Sequence, residues 1–207
     1  MKDEISQAMI KTGTSVVGIV CKDGAVIASD RRASVGDGRM VVQKNMQKIR
    51  KLNDYMIMSI AGTASDAILL TKIIAAELKL KHLRTKSRPS IKESANLIAM
   101  SIYRNIRTPS MIPNIVGTIC SGFNEDSSVE IYSISPAGDL TEIEDYDTSG
   151  SGTTFMLGLL ERQHKKDMTV TQGVELAKEC IKSAIERDTA SGNGIDVWAI
   201  TKSGIQH

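Results

Sequence analysis

Apolar positions along this chain switch period more than once. Residues 14–21 (TSVVGIVC) form a β-branched apolar run, Lys22-Asp23-Gly24 carries an Asp-Gly turn signal, and residues 25–30 (AVIASD) return as a second strand. A polar, glycine-containing loop follows at 35–39, then two short strands at 48–52 and 55–61 around Asn53-Asp54. The spacing then becomes helical. Residues 64–80 put Ala67, Leu70, Ile74 and Leu78 on one face. Ser90 with Glu93 reads as a capping box behind Pro89, opening a helix to about Arg107 that Pro109 and Pro113 close. Strands return at 114–121, 129–134 and 140–143, and a helix fits 153–164. Thr169 with Gln172 is a second capping box, opening a helix to about Arg187 with Val170, Val174, Ala177, Ile181 and Ile185 inward. Residues 195–201 (IDVWAIT) form the last strand.

The order is strands, two helices, strands, two helices, strand. An α+β fold satisfies it: a four-layer αββα sandwich, two antiparallel sheets between two helical layers, buries every apolar face named above. The 207 residues, 41% hydrophobic and 24% charged, suit a globular chain that buries a substantial core. No linker, repeat or low-complexity segment divides it, so one domain is expected.

Charge narrows the function classes. The net charge is +2 with both signs interspersed, which favours neither a nucleic-acid nor a membrane surface. The basic stretch from Lys79 to Arg88 reads as a solvated helix end and loop. No run approaches the ~18 apolar residues of a membrane span, and residues 1–13 carry Asp3, Glu4 and Lys11 without an apolar core, unlike a secretory signal. Cys21, Cys120 and Cys180 lack CxxC spacing and sit in apolar-periodic segments. They read as buried packing in a reducing, cytoplasmic compartment. Neither a metal nor a cofactor is expected. GxSxG, HExxH and Walker A patterns are absent, and His82, His164 and His207 lie in polar surroundings without an evident nucleophile.

Candidate chemistry starts at Thr12-Gly13-Thr14-Ser15, directly ahead of the first strand. A threonine hydroxyl is a weak nucleophile until a base takes its proton. A free α-amine, with a pKa of ~7.7–8.0, suits that task near neutral pH. Cutting the Gly13–Thr14 bond gives one residue both nucleophile and base; while the bond is intact the nitrogen is an amide and accepts nothing. On the dipeptide alone, a glycine that merely ends a disordered tail is the better reading.

Further motifs follow in order: SVVGI after Gly13-Thr14, then Ser29-Asp30-Arg31-Arg32-Ala33-Ser34, Lys48-Ile49 and Ile60-Ala61-Gly62. Beyond them come Ser149-Gly150-Ser151-Gly152, Arg187-Asp188-Thr189-Ala190-Ser191-Gly192 and Ile195-Asp196. Taken together these resemble the β-type subunit of the 20S proteasome, most closely the archaeal kind, over nearly the whole chain. The resemblance implies an N-terminal nucleophile hydrolase fold, a propeptide of residues 1–13 removed by self-cleavage, and a catalytic domain of residues 14–207. It implies a threonine endopeptidase in which Thr14 attacks the peptide carbonyl. Lys48 would be a buried ammonium beside it, Asp30 the partner that keeps Lys48 charged, and Gly62 a backbone N–H for the oxyanion. Ser151, Asp188 and Ser191 would surround the free N-terminus, and Arg32 would be framework.

Ala33, Ser34, Met46, Arg50, Ile60 and Ala64 match positions that line the specificity pocket or the substrate edge. Ser34 would pair with substrate backbone as an added strand, and Arg50 would admit acidic side chains to an otherwise apolar pocket. The implied partners are α-type and other β-type subunits in a barrel of four heptameric rings, unfolded polypeptide substrates, and indirectly an ATPase ring. The loop 36–39 is about two residues longer than in typical relatives, and the chain ends at His207 without the C-terminal extension of many of them. Alternatives are a bacterial-type two-ring threonine protease and a non-catalytic ring subunit. The presence of Thr14, Lys48 and Asp30 together argues against the second.

Overall fold

A computed structural model describes residues 13–36, 38–110 and 114–207. The readings that fall on residues 1–12, on Asp37 within the loop and on Pro113 lie outside the described residues. In chain order the elements are β1 (Ser15–Cys21), β2 (Gly24–Asp30), β3 (Ala33–Val35), β4 (Met40–Gln43), β5 (Ile49–Asn53), β6 (Met56–Ser59) and β7 (Ala61–Gly62), then helices α1 (Ala64–Thr85) and α2 (Ile91–Arg107). After them come β8 (Val116–Phe123), β9 (Val129–Ile134), β10 (Leu140–Glu142), β11 (Tyr146–Gly150), helices α3 (Thr153–Gln163) and α4 (Val170–Arg187), β12 (Ile195–Thr201) and β13 (Gly204–Gln206).

Among the described residues two large antiparallel sheets result, beside a separate two-stranded sheet of β3 and β4. One has the order β11-β1-β2-β12-β13; the other runs β10-β9-β8-β6-β5, with β7 paired to β8. Strand parity explains how they stack. On β1 and β2, Val17, Ile19, Val26 and Ala28 face α3 and α4, with Met156, Leu160, Ala177, Cys180 and Ile181 opposite. Their alternates Val16, Ala25 and Ile27 face Ile49, Ile57, Ile119 and Ile131 of the second sheet. The other face of that sheet, through Met56, Met58, Val116 and Cys120, packs on Leu70, Ile74 and Leu78 of α1 and Ile98 and Ile102 of α2. Three apolar layers thus separate four structural layers, the α+β sandwich anticipated from element order. Strands buried on both faces lose polar alternation, which is why β1, β2 and β8 read as continuous apolar runs.

Both capping boxes form: Ser90 Oγ accepts from Glu93 N–H and Thr169 Oγ1 from Gln172 N–H, each with the reciprocal bond. The anticipated α1 face is buried as read. The helix runs on to Thr85, five residues further, and stops at Lys86 with φ 54°. The basic stretch from Lys79 to Arg88 forms its last turns and the loop beyond and is mostly exposed, while Arg88 lays its guanidinium 3.6 Å from the Tyr55 ring centre.

Three expectations need correction. Loop 35–39 is the turn of a hairpin whose strand β4 (MVVQ) is exposed throughout and carries no alternation to betray it. Strand β11 is polar and owes its existence to pairing with β1, Val17 opposite Thr148. Strand β12 is followed by β13, so it is not the last strand. The α4 face is inward as read, with Ala177 and Ile181 fully buried and Val170, Val174 and Ile185 packed partly buried against the same core, and Gly173, Leu176, Cys180 and Ala184 buried beside them. Small residues turn that helix inward: a Cβ on Gly173 would fall 2.6 Å from Cys21 Sγ.

Ile119 lies at the centre of the inter-sheet layer and is fully buried. Ile119→Ala is expected to lower stability by about 2–5 kcal/mol in urea denaturation, through lost burial and the cavity left behind.

Candidate active site

The first and last turns of the strands bring the chemistry-bearing residues to one end of the sandwich. Thr14 stands just before β1 and is 4% exposed, its carbonyl accepting from Gly152 N–H at 3.3 Å. Asp30 ends β2, and Lys48 precedes β5, held by its carbonyl to Ile60 N–H at 2.8 Å. The turn after β11 wraps Thr14 closely: at Gly150 (φ +96°) a Cβ would fall 2.1 Å from the Thr14 carbonyl oxygen. Gly62 (φ +107°) is equally constrained, since a Cβ there would lie 2.1 Å from Ile115 O.

A buried ion pair organises this end. Lys48 Nζ donates to Asp30 Oδ1 at 2.6 Å, with the two side chains 2% and 0% exposed. Asp30 also accepts Ser15 N–H on Oδ1 (3.0 Å), and on Oδ2 Arg32 N–H (3.0 Å) and Gly192 N–H (2.9 Å). Four donors thus fill the hydrogen-bonding capacity of this buried carboxylate. Lys48 is pushed below its ordinary value by burial, opposed by the charge and hydrogen bond of Asp30 and by the charge of Asp188, while Arg32 adds a small push downward. The expected pairing is present; burial nevertheless outweighs it.

The third contact of Lys48 is chemically the most telling. Its Nζ donates to the Gly13 carbonyl oxygen at 3.0 Å, and Thr14 Oγ1 donates to the same oxygen at 2.7 Å. A hydroxyl and an ammonium therefore meet at the carbonyl of the bond that precedes Thr14. Residue 13 must be small here, because a Cβ would fall 1.9 Å from Ala190 Cβ.

On the other flank, Thr14 N–H donates to Ser151 Oγ at 3.1 Å. Ser151 Oγ donates to Asp188 Oδ2 at 2.6 Å, as does Ser191 Oγ at 2.7 Å. Ser151, Asp188 and Ser191 thus gather around the Thr14 nitrogen. Arg32 holds the neighbouring loop through Nε to Asn193 Oδ1 and Nη1 to Thr189 O, a framework position. Ser15 was not anticipated: its Oγ lies 2.7 Å from Ser191 Oγ, in the same cluster.

A narrow cleft opens beside Thr14. Ala33, Met46, Ile60, Ala64 and Gly62 line it together with Gly13, Thr14 and Lys48. Ala67 of α1 lines it too and carried no signal apart from its helical spacing. Ser34 and Arg50 are not among the lining residues. Ser34 is buried and donates its hydroxyl to Ala190 O, and Arg50 sits on β5 opposite Met58.

The remaining candidates stand apart. His82 contacts Ser87 O, His164 packs on Tyr146, and His207 pairs with Asp196 at 2.6 Å. All three cysteines are buried and unpaired, their thiols pushed up to about 12 chiefly by burial, so they are poor nucleophiles. Among the described residues no cluster of acids, histidines and cysteines could hold a metal ion, and no helix is long and apolar enough to cross a membrane.

A four-layer sandwich with such a cluster at the start of its first strand is the N-terminal nucleophile hydrolase fold. The family model described as "Proteasome subunit" matches residues 10–200. The chain is 41% identical over 197 residues to a proteasome subunit beta of Methanobrevibacter smithii, covering 95% of this chain and 91% of the relative. It is 37% identical to one from Nanoarchaeum equitans (93% and 95% covered) and 34% to one from Methanocaldococcus vulcanius (94% and 84%). The chain belongs to the proteasome subunit family, as a β-type subunit, and hence to a family of peptidases.

Lys48 should titrate below 10.5 when its side-chain carbon resonances are followed by NMR. Asp30→Asn removes the largest upward influence and should move the midpoint lower still. The unfolded chain keeps this proton to higher pH than the folded one. Stability contributed by Lys48 therefore rises as pH climbs from the folded value towards 10.5.

Proposed function

We propose that this chain is a threonine-type endopeptidase subunit of a 20S proteasome core that cuts itself between Gly13 and Thr14. The carrying observation is the Gly13 carbonyl oxygen that receives both Thr14 Oγ1 and Lys48 Nζ. In self-cleavage, Thr14 Oγ1 gives up its proton to solvent and bonds to the Gly13 carbonyl carbon. Negative charge develops on the oxygen beside the Lys48 ammonium. The C–N bond then breaks, the nitrogen takes a proton, and an ester joins Gly13 to Thr14 Oγ1. Water hydrolyses that ester to a Gly13 carboxylate, leaving the hydroxyl and a free α-amine on Thr14.

The mature residue repeats this chemistry on substrates. Its amine accepts the hydroxyl proton, Oγ1 attacks the scissile carbonyl, and the departing amine takes the proton back. Water then frees the acyl group. Gly62 supplies its N–H to the oxyanion, and Lys48, held by Asp30, favours the deprotonated hydroxyl and the neutral amine. The small apolar cleft of Ala33, Met46, Ile60, Ala64 and Ala67 favours apolar side chains before the cut. On this reading residues 1–13 are a propeptide and residues 14–207 one catalytic domain. The subunit works in the cytoplasm within a barrel of α-type and β-type heptameric rings, on unfolded polypeptides that an ATPase ring delivers. The chemistry uses no cofactor.

Intact-mass measurement tests the reading. Mature protein should lack residues 1–13, whereas Thr14→Ala should retain them and lose peptide hydrolysis to background. Lys48→Ala should fail in both processing and turnover. A Thr14→Ala chain that hydrolyses peptides at the parental rate would sink the assignment.

A further inference from the structure

Ser15 is fully buried, and it uses both of its donors inside the site. Its backbone N–H donates to Asp30 Oδ1, the oxygen that also holds Lys48 Nζ. Its hydroxyl contact with Ser191 Oγ has a forced direction. Ser191 spends its only proton on Asp188 Oδ2, so Ser15 Oγ must be the donor and Ser191 Oγ the acceptor. Asp188 Oδ2 also takes the proton of Ser151, whose oxygen faces the Thr14 nitrogen. One directed chain runs from Ser15 through Ser191 to Asp188 and, from the other side, from Thr14 N through Ser151 to the same oxygen. The fold reserves space for it: a Cβ on Gly152 would lie 1.9 Å from Ser15 Oγ.

We infer that Ser15 is a positioning residue for the proposed reaction, setting through Ser191 and Asp188 the proton affinity of the Thr14 α-amine. This rests on the reading of Thr14 as nucleophile and base. A hydroxyl that accepts a hydrogen bond is a better donor, so Ser15 strengthens the bond of Ser191 to Asp188. Part of the Asp188 charge is thereby neutralised near the amine. Without Ser15 Oγ that charge is less screened, the ammonium form of the amine is favoured, and the neutral base appears only at higher pH. The other charged groups of this cluster are Lys48 ahead of β5, Asp30 at the end of β2, which pairs with it, and Arg32 beyond, which acts on Lys48 with Asp188. Of these only Asp30 touches Ser15, through the backbone N–H that every substitution at residue 15 but proline retains.

The test is the pH profile of kcat for peptide hydrolysis by the mature assembled protein. Ser15→Ala should move the acidic limb up by about half a pH unit, as a weakened charge-screening hydrogen bond would. It should lower kcat on that limb roughly two- to threefold, the loss that a half-unit shift produces, with KM unchanged because Ser15 reaches no cleft wall. Ser15→Thr, which returns a hydroxyl, should restore the parental limb, and adding Ser15→Ala to Ser191→Ala should cost nothing more. Parental kcat and limb in Ser15→Ala, or equal losses in the alanine and threonine variants, would overturn the inference. If Thr14→Ala is inactive in the same assay, such a result condemns Ser15 alone; if Thr14→Ala is active, the underlying reading has failed.

Discussion

Burying the Lys48 ammonium beside the Asp30 carboxylate is the constraint around which this end of the molecule is arranged. Two charges removed from water cost several kcal/mol each unless their remaining hydrogen-bonding capacity is filled. Here three backbone N–H groups, from Ser15, Arg32 and Gly192, complete the shell of Asp30. Those groups belong to the start of β1, the turn after β2 and the loop before β12, so satisfying one carboxylate fixes three chain segments. Lys48 adds a fourth segment and directs its ammonium at the Gly13 carbonyl. The pair is therefore both a tether and a source of positive potential at the bond ahead of Thr14.

The sandwich makes such a cluster possible. The buried side chains that its two sheets present to each other are valine, alanine and isoleucine, and Gly18 leaves room for Ile119 and Ile131. At the end of β1 and β2 the apolar filling gives way to Ser15, Ser29 and Asp30, all fully buried. The same backbone regularity that stacks Val17 on α4 thus carries Thr14 and Asp30 to fixed places. Glycines at 62 and 150, in conformations that other residues rarely adopt, let the backbone close over the site.

How much of this was legible in the sequence depended on whether the cause was local. Capping boxes at Ser90 and Thr169 and the buried face of α1 are written within a few residues of themselves. Strand β11 is polar and exists because β1 lies beside it, so no window around residue 146 could announce it. The α4 face was readable from its periodicity, but buried Gly173 and Ala184 were not, because they count as weak hydrophobes although their smallness brings the helix close. In the site, Thr14, Asp30 and Lys48 were readable through ordered motifs. Ser15 was not, because its hydroxyl partner lies 176 residues away. The side-chain setting of Arg50 depends on which face of β5 it occupies, and that parity appears only when the sheets are stacked.

A consequence for regulation follows from the uncut bond. With Gly13 attached, the Thr14 nitrogen is an amide that donates to Ser151 and has no basic lone pair. The proposed cleavage creates the base when the C–N bond breaks and frees the hydroxyl when water hydrolyses the ester, so the uncut chain lacks the base that turnover needs. The most direct measurement is rapid acid quenching of mature protein during turnover of a peptide ester, followed by mass analysis of its N-terminal fragment. The account predicts an acyl group carried on Thr14 Oγ1. Steady turnover with no adduct on that fragment, or with the adduct on another residue, would contradict it.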